Sequence, residues 1–102
     1  MTSKRKEIET ILYSFNNKIK EAEELERENP SSSKLKKLDK EIRLINDGLD
    51  SIMYDKFYFI IEYKYLEGWD KKRILKEFNI DYSLYEIQEE RLLMNLIRFI
   101  KL

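Results

Sequence analysis

Four cations fall within six residues, Lys71, Lys72, Arg73 and Lys76, with no acid between them. Ammonium and guanidinium groups one helical turn apart are the side chains that hold phosphate oxygens in place. The same four would also serve as a solvated face beside Glu77, and the sequence leaves both readings open. Further on, Tyr82 and Ser83 put two hydroxyls at the start of a second apolar-periodic run, followed by Glu86, Glu89, Glu90 and Arg91. Hydroxyls at a helix start can touch phosphate or a base edge, or can simply cap and pack. A carboxylate such as Glu86 can accept from cytosine N4, but three within five positions repel phosphate. Acid–base chemistry has little to work with, because the chain contains no His and no Cys. With no Gly-rich phosphate loop either, nothing points to an enzyme or to a cofactor.

The spacing around these residues predicts the elements that carry them. Helix three is expected over about Tyr54 to Glu67. Its apolar residues fall on nearly every side, as in a helix covered by several neighbours. Gly68 suits the left-handed position that closes a helix. Trp69 reads as a core plug between helices three and four, with stacking on nucleic acid as the alternative. Asp70 caps a short fourth helix in which Ile74, Leu75 and Phe78 face inward and Arg73 lies one turn from Glu77. Asn79-Ile80-Asp81 forms a turn: Asn tolerates positive φ, Ile80 plugs the core, and Asp81 or Ser83 caps helix five, which continues to about Ile100. A short helix, a tight turn and a second helix are the order of a helix-turn-helix. With Tyr85 inward, the outer set is about Tyr82, Ser83, Glu86, Ile87 and Glu90, which is acidic and apolar. Phosphate contact therefore shifts to Lys71, Lys72, Arg73 and Lys76, with Lys64 and Arg91 as further candidates.

The N-terminal half predicts a hairpin. Helix one starts at Thr2 or Ser3 and carries Ile8, Ile11, Phe15, Ala22 and Leu25, with Ile19 substituting for Lys18. Lys20–Glu24 and Glu23–Arg27 stand at ion-pair spacing on its soluble face. Asn29-Pro30-Ser31-Ser32-Ser33 stops it, and Ser33 can cap the next helix. Helix two sets Leu35, Leu38, Ile42, Ile45, Leu49 and Ile52 at alternating spacings of three and four, a heptad seam in which Gly48 is tolerated. The fold expected is all-α: an N-terminal antiparallel helical hairpin, coiled-coil-like, over 1–52, followed by a C-terminal three-helix helix-turn-helix domain over 53–102. The heptad face also suits a homodimer.

Composition limits the choices further. The 102 residues hold 20 Lys+Arg against 20 Asp+Glu, so the net charge is zero and gives no overall attraction to nucleic acid. A chain of this size buries roughly 60–70% of its unfolded surface, enough for one modest core. The apolar run from Leu92 to Leu102 is broken by Asn95, Arg98 and Lys101 and is too short to span a bilayer. The N-terminal Met-Thr-Ser-Lys-Arg-Lys lacks an apolar leader core, so a cytoplasmic location is expected.

From Ile60 the order Ile-Ile-Glu-x-Lys-Tyr-Leu-Glu-Gly-Trp, a short helix, then Asn-Ile-Asp-x-Ser-x-Tyr resembles the ArpU/RinA/LtrC-type phage late transcriptional regulators, over residues 45–100. That resemblance implies a helix-turn-helix like region 4 of sigma-70 factors and a transcription regulator of phage or mobile-element genes. Ile80-Asp81-Tyr82-Ser83-Leu84-Tyr85 stands where the group has an Ile-Ser-Arg-Ser-Thr-Tyr-like pattern. This chain is acidic and apolar where the group is basic. Double-stranded DNA is the expected partner. The alternative is a helix-turn-helix-like module that binds a protein, such as a phage regulator or an RNA polymerase subunit.

Overall fold

Ser3 begins the first helix by accepting the Lys6 amide on its Oγ at 3.1 Å, and α1 runs Lys4–Glu28. The structure is a computed structural model describing residues 3–102, so Thr2, the other candidate cap, lies outside the described residues. Pro30 and its neighbours end α1. Ser32, rather than Ser33, then caps α2 (Ser33–Ile52) by accepting the Lys34 amide at 3.2 Å. The cap moves back one residue because Ser33 already has helical backbone, whereas Ser32 is extended. The two helices pair along the hairpin. The ion pairs run across it, Lys34–Glu21 at 2.7 Å and Lys18–Glu41 at 3.5 Å, in place of the expected Lys20–Glu24 and Glu23–Arg27.

The third helix departs most from expectation. Residues 53–57 form turns, α3 covers only Tyr58–Ile61, and the chain continues as a π-helical turn over Glu62–Leu66. The physical reason lies in Asp55, whose carboxylate accepts the Phe57 amide at 2.9 Å and offers the backbone a local alternative to helix. Tyr54, outside the helix, is left 92% exposed. The π-turn closes with the Glu67 amide on the Glu62 carbonyl at 2.9 Å. Gly68 follows at φ 75°, as its position suggested.

Asp70 caps α4 (Lys71–Glu77) by accepting the Arg73 amide at 2.8 Å, and Asp81 caps α5 (Tyr82–Ile100) through the Ser83 amide at 3.1 Å. Asn79 takes φ 48° in the turn between them, the left-handed conformation that Asn tolerates. Lys101, also left-handed at φ 64°, ends α5.

One core ties the hairpin to the C-terminal helices. It holds Ile8, Leu12 and Phe15 of α1, Ile45, Leu49 and Ile52 of α2, Ile61 and Tyr65, and Leu92, Leu93, Leu96 and Ile97 of α5. Ile11 packs half-buried against this core, as expected, and Leu12 is fully buried besides, because α1 packs against α5 and the π-turn as well as α2, which widens its apolar face. A buried Leu or Ile contributes about 1.5–3 kcal/mol, and a surface ion pair at most about 1. This core therefore sets how the two halves sit. A second cluster, Ile60, Ile74 and Tyr85, joins α3, α4 and α5, with Phe57, Phe59, Tyr63, Trp69, Leu75 and Ile80 packed around it. Phe78 belongs to its rim: it stacks on Phe59 at 4.2 Å but stays 38% exposed, so it is not the inward residue expected. Gly48 lies where α2 crosses α5, with the side chains of Leu96, Phe99 and Ile100 around it. Among the described residues no helix is long and apolar enough to cross a membrane.

Candidate nucleic-acid interface

The glutamates on α5 decide what its surface can do. Glu89 does not face outward. It is fully buried, and its carboxylate accepts from three donors: Lys64 Nζ at 2.6 Å, the Tyr65 hydroxyl at 2.9 Å and Arg5 Nη2 at 3.0 Å. A buried carboxylate needs this many charge-assisted partners to offset its desolvation. Arg5 also pairs with Glu90 and, at 2.9 Å, with Glu9. Glu86 pairs with Lys71, whose ammonium holds the Glu86 carboxyl below the usual carboxylate range. Each acid on this helix thus meets a cation from a different part of the chain: Arg5 from α1, Lys64 from the π-turn and Lys71 from α4.

The sequence reading missed Arg5, because its partners lie 84 and 85 residues away and no local spacing announces them. The burial of Glu89 had a faint signal, since it falls four residues after the inward Tyr85 on one helical stripe.

The candidate residues divide into three groups. Lys71, Tyr82 and Glu86 come together: Lys71 Nζ lies 4.6 Å from the Tyr82 ring centre and 3.5 Å from its hydroxyl, besides its pair with Glu86. Arg91 leaves the set. It points to the opposite side of α5, where its two terminal nitrogens hold the Asp55 carboxylate at 2.8 Å each and its Nε holds Gln88 at 2.7 Å. Arg91 therefore pins the 53–57 turn to α5. The third group is open. Lys72, Arg73 and Lys76 are exposed, and among the described residues they make no ion pair. Ser83 is exposed at the start of α5, beside Tyr82, which stays 56% exposed despite its contact with Lys71. The Ser83 amide is spent on the Asp81 cap, so its hydroxyl is the group that remains available.

Apolar side chains also reach the surface of α5. Leu84, Ile87 and Met94 on α5 are 39%, 62% and 37% exposed. Leu84 also walls an open groove of about 480 Å³, with Phe57, Phe59, Phe78 and Ile80, and with Lys56 at its edge.

Comparison with known proteins finds no protein-family model that matches the chain, no similar curated protein and no similar solved structure.

Proposed function

We propose that this chain is a DNA-binding transcription regulator, a non-enzymatic cytoplasmic protein acting on phage or mobile-element genes and working as a homodimer. In this reading α4 sets the phosphate register through Lys72, Arg73 and Lys76, and the start of α5 meets the groove with Tyr82 and Ser83. The observation that supports it best is internal charge compensation. Glu86, Glu89 and Glu90 are each answered by a cation of the same chain, so the acids of α5 do not oppose a phosphate backbone as three free carboxylates would. Among the described residues of α4, the unpaired cations Lys72, Arg73 and Lys76 outnumber the unpaired acid Glu77. Fluorescence anisotropy with duplex DNA tests this. Binding is expected in the micromolar range at 50 mM salt and should weaken steeply as salt rises. Lys72→Glu with Lys76→Glu should abolish it. No association at about 100 µM protein in low salt sinks the reading.

A second reading has its own support. The exposed Leu84, Ile87 and Met94 on one face of α5 suit a protein partner, such as a phage regulator or a polymerase subunit, better than a groove of DNA. Ile87→Ser, which removes the apolar side chain without adding a charge, separates the two: it should leave the salt-dependent DNA affinity within about twofold if α4 supplies the contacts, and should break a protein complex held by this face.

A further inference from the structure

Trp69 is the chain's one tryptophan, and it does not simply fill the core. It is half-buried, with one side 4.4 Å from the Tyr63 ring and the Arg73 guanidinium 3.6 Å from its ring centre. Local backbone chemistry fixes this stack. The π-turn carries Tyr63, and Gly68 at φ 75° folds the chain back so that the Trp69 amide donates to the Tyr63 carbonyl at 2.8 Å. Asp70 then caps α4 through the Arg73 amide, which places Arg73 in the first turn of the helix, against Trp69 just before the cap.

Arg73 has a carboxylate available at the same spacing in the other direction, Glu77, and makes no ion pair with it. It lies over the indole. At 3.6 Å its central carbon is in contact with the ring face, and a guanidinium stacked on an aromatic ring keeps its N–H donors at the rim. The fork is therefore ordered before any ligand arrives, and ordering in advance is what converts an exposed charge into a directional contact. Lys72 and Lys76 open onto the adjoining face of the same helix, so the fork has two uncommitted cations as neighbours.

We infer that Trp69 is a positioning residue that presents Arg73 as a bidentate ligand for a backbone phosphate of duplex DNA. This rests on the DNA-binding reading and assigns that reading its most directional phosphate contact.

Trp69 fluorescence and anisotropy with a labelled 20-base-pair duplex, at 50 and 150 mM KCl, test the inference together. Wild type is expected to bind, with Trp69 emission changing at the same midpoint as anisotropy. Arg73→Gln should remove most of that emission change and weaken binding about fivefold or more. Trp69→Leu, which keeps apolar bulk without a ring face, should weaken binding about three- to tenfold and flatten the salt slope by about one. Trp69→Phe should restore affinity to within about twofold. Circular dichroism melts check that each variant folds. Where Trp69→Leu does not fold, Arg73→Lys takes its place: it keeps the charge but lacks the fork, and should bind as weakly as Arg73→Gln.

If wild type binds while Trp69→Leu or Arg73→Lys matches it in affinity and salt slope, Arg73 only covers the indole. The inference then fails while the DNA reading stands. If wild type shows no salt-sensitive binding, the DNA reading fails and takes the inference with it.

Discussion

The Tyr65 hydroxyl donates to Glu89 Oε2 at 2.9 Å inside the protein, beside Lys64 on the same oxygen and Arg5 on the other. Burial, with the negative Glu89 next to it, raises the phenol well above its ordinary pKa, so it stays a donor. This joins three segments at one buried carboxylate. Removing the acid leaves Lys64 and Arg5 facing a void, while both are exposed enough to turn partly to water. Glu89→Ala should therefore lower stability by about 2–4 kcal/mol, toward the low end of breaking a buried pair. Tyr65→Phe, which removes one donor of three, should cost about 1 kcal/mol. Urea melts measure both. A Glu89→Ala variant within about 0.5 kcal/mol of wild type would mean the cluster adds no net stability.

Acid should weaken the fold through two surface carboxylates. The Arg91 guanidinium holds Asp55 below its ordinary pKa, and Lys71 does the same for Glu86. A carboxyl depressed in the folded state contributes stability that is present above its unfolded pKa, about 4, and lost as pH falls through the lower folded value. Melting temperature should thus be flat from pH 7 to 5 and drop below about 4. Both pairs are partly solvated, so each contributes no more than about 1 kcal/mol. Asp55→Asn should flatten part of the acid limb. An unchanged limb in Asp55→Asn would rule out that share.

The parts of this fold that were legible in sequence are those fixed locally. Asp70, Gly68, Asn79 and Asp81 each satisfy a backbone need within a few residues, and each took the expected role. The heptad of α2 was equally readable, since Leu35, Leu38, Ile45, Leu49 and Ile52 are buried. The start of the third helix was not, because Asp55 competes with helix in a way that apolar periodicity does not register. Nor could spacing show that α5 borrows cations from α1, the π-turn and α4. Long-range partners leave no periodic trace. The Trp69–Arg73 stack lies between these cases: both residues belong to one short stretch, but Trp69 is placed by the π-turn and by Gly68 folding the chain back, which a regular third helix does not predict.

Gly48 offers a test of packing at the α2–α5 crossing. A Cβ there would meet Leu96 Cδ2 at 3.4 Å, Phe99 Cδ1 at 3.5 Å and Ile100 Cδ1 at 3.6 Å, all ordinary contact distances. Ala also gains about 1 kcal/mol of helix propensity over Gly. Gly48→Ala should therefore raise stability by about 0.5–1 kcal/mol in urea melts. Gly48→Leu adds atoms where three side chains already pack and should destabilise by about 1–3 kcal/mol. If Gly48→Ala is instead destabilising, the crossing is tighter than these distances.

Glu86 gives the sharpest test of whether the acids of α5 are compensated or repulsive. Its carboxylate occupies Lys71, which lies within 3.5 Å of the Tyr82 hydroxyl at the start of that helix. Glu86→Gln removes the negative charge and releases Lys71 without adding a new cation. The pair is partly exposed, so the change should cost less than about 1 kcal/mol of stability. If Lys71 then reaches a phosphate, log K against log salt should steepen by about 0.9, and low-salt affinity should rise several-fold. Lys71→Gln with Glu86→Gln should return the slope to the wild-type value, because the freed cation is gone. Anisotropy at four or more salt concentrations gives all three slopes. A Glu86→Gln slope equal to wild type would place Lys71 outside the phosphate-contacting set and leave Lys72, Arg73 and Lys76 to carry it alone.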